Sequence, residues 1–321
     1  MLFRNFYIAP DGRLRAIWRF ALSIVVLIAA NFLGGGIAFA THLGGLSFEA
    51  VYRPLLLIFL LAGFYLLLVR LDRAPRPLPS MGLGLDRTTL PQSLLGIALG
   101  VAMVVAALAI VAWRGDVSIK IDFSDRTIGP FLFVIFVLAT AAMAEEVMFR
   151  GYPFQRLAEA AGPIVAVLVT AVFFGAAHIP NPNSTKISTL NTALFGVLIA
   201  LAYLRTRSLW LSWGLHFGWN AMLGVVCGLP VSGVTEFAVL GEGQANGPVW
   251  LTGGAYGLEG SVTGTIVLIA ATAVLLLLTR WNRLRTPDVA ADDQILASTL
   301  ASTNDLDRST EPTRLDRENR I

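Results

Sequence analysis

Residues 131–150 read FLFVIFVLATAAMAEEVMFR: fourteen uncharged residues, then Glu145 and Glu146 side by side, then Arg150 one helical turn further on. The length and apolar character of this run read as a membrane-spanning helix, and the two acids continue it. A single Asp or Lys near the middle of such a helix costs roughly 2.5–3.5 kcal/mol on insertion scales. Ionisable groups there turn toward protein, find partners and mark function. Elsewhere the chain supplies suitable partners in His178, His216 and Asn220.

The composition agrees with a chain that lives in lipid. It is 55% hydrophobic and 14% charged, with mean hydropathy +0.69, where an average soluble domain is about 25% charged. Fifteen prolines and 30 glycines, several of them inside apolar runs, suit membrane helices, in which both are more frequent than in soluble ones. No basic patch is interleaved with aromatics, which excludes nucleic acid as a partner. Cys227 is the sole cysteine. It forms no internal disulfide, and its apolar setting reads as a packing position.

Eight apolar segments are long enough, or nearly so, to span: 16–40, 50–69, 91–113, 130–150, 163–180, 188–204, 209–228 and 262–281. The expected fold is therefore an all-α polytopic transmembrane helix bundle of about eight spans. The first segment ends in Ala38-Phe39-Ala40, like a signal-peptide cleavage site. Its apolar run exceeds the roughly 7–15 residues of a signal core, so it reads as a span. Lys and Arg segregate by loop. One side collects Arg4, Arg13, Arg15, Arg19, Arg70, Arg73, Arg76, Arg87, Arg150, Arg156, Arg205, Arg207, Arg280, Arg283 and Arg285, whereas the other shows Arg53, Arg114, Lys120, Arg126 and Lys186. Both termini are expected to be cytoplasmic, in the inner (plasma) membrane if the source is bacterial.

Four regions follow. Residues 1–90 form a two-span accessory region ending in an Arg- and Pro-rich connector, and 91–228 form the helix bundle that carries the candidate site. Residues 229–285 hold a Gly-rich exterior loop without Lys or Arg and the last span. Residues 286–321 are polar, charged and aromatic-free, which predicts a disordered cytoplasmic tail.

Positions four apart share a helix face. Glu146 and Arg150 have that spacing, with the acid N-terminal, the better order for an ion pair. Glu146 is thus expected to be neutralised by Arg150 and structural, with Glu145, about 100° away around the helix, as the unpaired acid suited to act as a general base. The same helix is expected to continue past Arg150 through Tyr152-Pro153-Phe154-Gln155-Arg156-Leu157 to a turn at Gly162-Pro163. Counting from that turn back to Glu145 and forward to His178 gives nearly equal lengths, so antiparallel helices joined there would hold both at one depth. His216 and Asn220 are four apart and share a face of the seventh helix.

A carboxylate, two imidazoles and an amide can hydrolyse an amide bond. Glu145 would deprotonate water oriented by His178, while His216 and Asn220 would donate hydrogen bonds to the oxyanion. Alternatively a divalent metal such as zinc would sit on Glu145, His178 and His216 with water in its open position. There is no His-Glu-x-x-His zinc helix, no Gly-x-Ser-x-Gly elbow and no Gly-x-Gly-Asp aspartyl signature.

Three motifs stand in order: Glu145-Glu146-x-x-x-Arg150, Phe174-x-x-x-His178 and His216-x-x-x-Asn220. In these the chain resembles the CPBP family of intramembrane proteases, which includes type II CAAX prenyl endopeptidases and bacteriocin-processing and immunity proteins. The resemblance covers residues 91–228. It implies an α-helical membrane protease whose catalytic set is Glu145, His178, His216 and Asn220, supported by Glu146, Arg150 and Phe174. The expected substrate is a membrane-embedded or lipidated peptide or protein. The glutamate–water mechanism, which needs no cofactor, is preferred to the metal one. Two rival classes remain open on the sequence: a non-proteolytic immunity or scaffold protein that keeps the fold, and a proton-coupled transporter using Glu145 and His178 as a relay.

Overall fold

Helix follows helix because each apolar run must satisfy its own backbone in lipid. The computed structural model describes residues 6–114, 116–122 and 127–281, with side chains as far as residue 277. The main helices are α1 (Ala16–Ala40), α2 (Gly45–Leu67), α4 (Thr89–Ala112), α5 (Ile128–Arg150), α7 (Pro163–Ala177), α8 (Lys186–Thr206), α9 (Leu209–Asn220) and α11 (Val262–Trp281). Between them lie the short helices α3 (Pro77–Ser80) and α10 (Val249–Thr252) and the amphipathic α6 (Tyr152–Ala161). All eight apolar segments are helical. Among the described residues, five helical stretches are long and apolar enough to cross a membrane by length and composition. Large apolar side chains face outward along the bundle, among them Phe32, Ile58, Leu132, Phe173 and Ile269, as lipid contact requires. The 286–321 tail lies outside the described residues.

Helix α9 is central and packs on α4, α5 and α8. Its contact with α4 is backbone to backbone. Both helices carry Gly-x-x-x-Gly, Gly96/Gly100 facing Gly214/Gly218. A Cβ on Gly100 would lie 2.4 Å from the Leu215 carbonyl oxygen, and one on Gly218 would lie 2.6 Å from that of Ile97. Small residues are what let membrane helices approach this closely. After Asn220 the helix widens into a π turn over Ala221–Val226, a distortion common at functional sites.

Two expectations change. Helix α5 stops at Arg150 and does not run on to residue 162. Gly151 adopts φ −71°, ψ −136°, and a side chain there would meet the Val147 carbonyl oxygen at 2.4 Å. The chain turns and restarts as α6, with Pro153 in its first turn, where proline is tolerated. The count that set Glu145 and His178 at one depth assumed an unbroken helix, so it fails. Instead α7 packs chiefly on α8 and α6, and α5 on α2 and α9.

The second change concerns the Gly-rich loop. It contributes β2 (Gly241–Ala245), which pairs antiparallel with β1 (Val117–Ile121) and sets Lys120 opposite Glu242. This two-stranded ribbon supplements the helical bundle.

At one end of the bundle Arg19 and Arg156 both pair with Asp72, the Arg13 guanidinium reaches the Asp72 carbonyl, and Trp210 Nε1 donates to Gly84 O at 2.9 Å. The Arg-rich connectors between helices are thereby gathered on one face.

Candidate active site

A cavity of about 340 Å³ lies between the helices. Glu145 and Phe149 reach it from α5, Phe174 and His178 from the end of α7, and His216 and Asn220 from α9. Asn31 of α1, Tyr52 and Arg53 of α2, Asn191 of α8, and Ser232 and Glu259 of the Gly-rich loop complete the wall. The four residues chosen from sequence as the catalytic set share one cavity.

The two acids sit in different surroundings. Glu146 is fully buried, and its Oε1 accepts a hydrogen bond from His216 Nδ1 at 3.0 Å. Arg150 Nη1 approaches the same oxygen at 3.5 Å, while its Nη2 donates to the Gly196 carbonyl at 3.1 Å. The guanidinium also lies over the Phe174 ring, 4.6 Å from its centroid. Glu146 is therefore more than a counter-ion for Arg150: it holds an imidazole. Because a carboxylate only accepts, Nδ1 of His216 donates to Glu146, and Nε2 is the ring nitrogen turned toward Glu145.

Glu145 is not unpaired, as the sequence suggested. Its Oε1 lies 3.4 Å from Arg53 Nη1, and Arg53 Nε donates to Glu49 Oε2 at 2.5 Å. Its Oε2 is buried without a hydrogen-bond partner and lies 3.8 Å from His216 Nε2. This oxygen is thus the acceptor free for chemistry. His178 follows the same logic as His216. Its Nδ1 stands 2.8 Å from the Phe174 carbonyl, which can only accept, so Nδ1 donates there and Nε2 is the nitrogen left to meet a water. The edges of Phe174 and Phe195 fix the His216 ring, with centroids 6.0 and 5.4 Å away.

The loop is fastened over this cavity. Glu259 accepts from Trp219 Nε1 at 2.8 Å and from Ser232 Oγ at 2.8 Å, and Asn191 Nδ2 donates to the carbonyls of Glu259 and Ser261, both at 2.8 Å. Glu146, Arg150, Tyr152 and Phe154, which do not line the cavity, have no exposed surface.

Arg53 and Glu259 were missed by sequence reasoning. For Arg53 a signal existed, since Glu49 and Arg53 repeat inside an apolar run the i, i+4 spacing used for Glu146 and Arg150. Glu259 gave none, being one acid in a Gly-rich loop forty residues beyond its partner Trp219. As for a metal, no three His, Cys, Asp or Glu side chains among the described residues come together as a metal-holding set. The mechanism proposed for this site routes no step through a metal.

Fold and site together define a polytopic helical membrane protein with a carboxylate–imidazole centre enclosed by its helices. Residues 127–222 match the family model described as type II CAAX prenyl endopeptidase Rce1-like. That match supports a CPBP-family intramembrane protease, in general a hydrolase acting on a membrane-associated peptide or protein. It spans α5 to α9, which carry both acids, both site histidines and Asn220, and leaves out α1, α2 and the Gly-rich loop. No curated protein and no solved structure matches the chain.

Proposed function

We propose that this protein is an intramembrane endopeptidase that hydrolyses a peptide bond in a membrane-embedded or lipidated substrate with a water activated by Glu145. The observation that carries the reading is Glu145 Oε2, a buried carboxylate oxygen without a partner, facing His216 Nε2 across 3.8 Å in a cavity shared with His178 and Asn220. Glu145 takes a proton from water as it attacks the carbonyl carbon. His178 Nε2 accepts the second hydrogen of that water and so orients it. Asn220 donates its amide N–H to the developing oxyanion. His216, held through Nδ1 on Glu146, donates from Nε2 to the oxyanion. Glu145 then passes its proton to the leaving amine as the C–N bond breaks. The polar groups are in place before the reaction, which is where electrostatic stabilisation is most effective.

The substrate enters, on this reading, from the face of the Gly-rich loop. The loop and the Asn181 turn line the cavity, whereas none of the Arg-rich connectors does. By the distribution of Arg the open face is extracytoplasmic, with both termini cytoplasmic. A membrane-impermeant thiol reagent applied to sealed cells should then label Ser232→Cys and not Arg76→Cys. The reverse pattern overturns the orientation.

Purified protein in liposomes, given a quenched fluorescent lipidated peptide library, tests the chemistry. Glu145→Gln and His216→Ala are expected to lose about 10²- to 10⁴-fold in turnover while staying folded, the second with a lowered unfolding temperature because buried Glu146 loses its donor. Cleavage that survives both changes sinks the hydrolase reading. Activity kept after exhaustive chelation supports the metal-free mechanism; loss that zinc restores replaces it.

A further inference from the structure

Arg53 stands outside the segment that matches the family, on α2, yet reaches the proposed general base. Its fork serves two acids at once: Nε to Glu49, one turn earlier on the same helix, and Nη1 to Glu145 on α5. The guanidinium also rests beside the Tyr52 ring, 5.4 Å from its centroid, and Tyr52 in turn donates its hydroxyl to Asn31 Oδ1 at 2.7 Å. Through these contacts α1 and α2 buttress one oxygen of Glu145.

We infer that Arg53 is the positioning residue of Glu145, clamped by Glu49 so that Oε1 is tied and Oε2 alone is presented to the reacting water. The inference rests on the proposed function. A glutamate side chain has several rotatable bonds, and either oxygen of a free carboxylate can turn toward the imidazoles. Tying Oε1 removes that ambiguity, and displacements of about 1 Å at a reacting group can cost on the order of 10²-fold in rate. Charge argues against the other use of a cavity arginine, capture of a substrate anion: two carboxylates already share this one cation. Lysine is a poor replacement, since a point charge cannot fork between two acids. The two N-terminal helices thus supply part of the catalytic geometry.

Full-length protein in liposomes with the same peptide library gives the test. Arg53→Ala is expected to lower kcat per folded molecule by about 10- to 100-fold with KM changed little, as loss of an orienting partner does. Arg53→Lys should recover part of the loss, and Glu49→Gln should cost less than Arg53→Ala because Arg53 still reaches Glu145. Wild-type kcat in Arg53→Ala, or a loss confined to folded yield, overturns the inference. A thermal-stability cycle of Arg53→Ala, Glu145→Ala and the double variant needs no substrate. Non-additive shifts support the link, and additive ones overturn it. Absence of any cleavage by the wild type would instead fall on the protease reading, with the cycle still deciding the Arg53–Glu145 link.

Discussion

Arg150→Ala is expected to lose most of its folded protein, and to lower the unfolding temperature far more than Glu145→Ala does. Arg150 and Glu146 are both fully buried, and the guanidinium is also held by the Gly196 carbonyl and the Phe174 ring. Deleting one partner of a buried pair leaves an uncompensated charge and typically costs about 3–5 kcal/mol, a large share of the roughly 5–15 kcal/mol that holds a typical domain folded. Glu145 differs because its side chain keeps 17% of its surface and lines the cavity. A second substitution identifies the cause. In Arg150→Ala/Glu146→Gln the leftover anion is gone, while the amide oxygen of the glutamine still accepts from His216 Nδ1. Thermal unfolding in detergent should show the double variant more stable than Arg150→Ala alone. If both single changes at 145 and 150 are harmless, the buried pair has been misjudged.

Gly218→Val should be as damaging, by a different route. On α9, positions 214 and 218 sit directly on the α4 backbone. A Cβ at 214 would meet the Ser93 carbonyl oxygen at 2.3 Å and one at 218 that of Ile97 at 2.6 Å. Backbone atoms cannot swing aside as a side chain can, so the whole helix must shift. His216 lies between the two glycines, and displacing it breaks its alignment with Glu145 as well as the core. The expected result is loss of monodisperse protein for Gly218→Val and, for the milder Gly218→Ala, folded protein with turnover reduced by on the order of 10²-fold. Gly36→Ala on α1, where a Cβ would meet nothing within 4 Å, is the neutral control. Normal yield and turnover from Gly218→Val would show that the α4–α9 contact is looser than described.

Much of this molecule was open to reading in one dimension. Hydropathy located the eight main helices because a segment in lipid must bond its own backbone, which makes helix formation a local decision. The i, i+4 rule put His216 and Asn220 on one face, and these two with Glu145 and His178, picked out as polar groups in apolar runs, line one cavity. The break at Gly151 was less visible. A glycine before Tyr152-Pro153 hints at a stop, but the apolar pattern runs across it, and the depth count that relied on continuity failed with it. The facing Gly-x-x-x-Gly pairs were legible as motifs, though not which helix each would meet.

The chain by itself determined that this is a helical membrane bundle and which polar side chains would line its cavity, because both follow from polarity and spacing along a single strand of sequence. Only tertiary structure decided how those groups are used: that Glu146 bonds His216, that Arg53 ties one oxygen of Glu145, and that Glu259 fastens the loop above them. The reason is physical. Such contacts depend on the rotation and crossing of helices distant in sequence, which are set by ridges, grooves and glycine contacts shared between two surfaces, and no single segment carries that information.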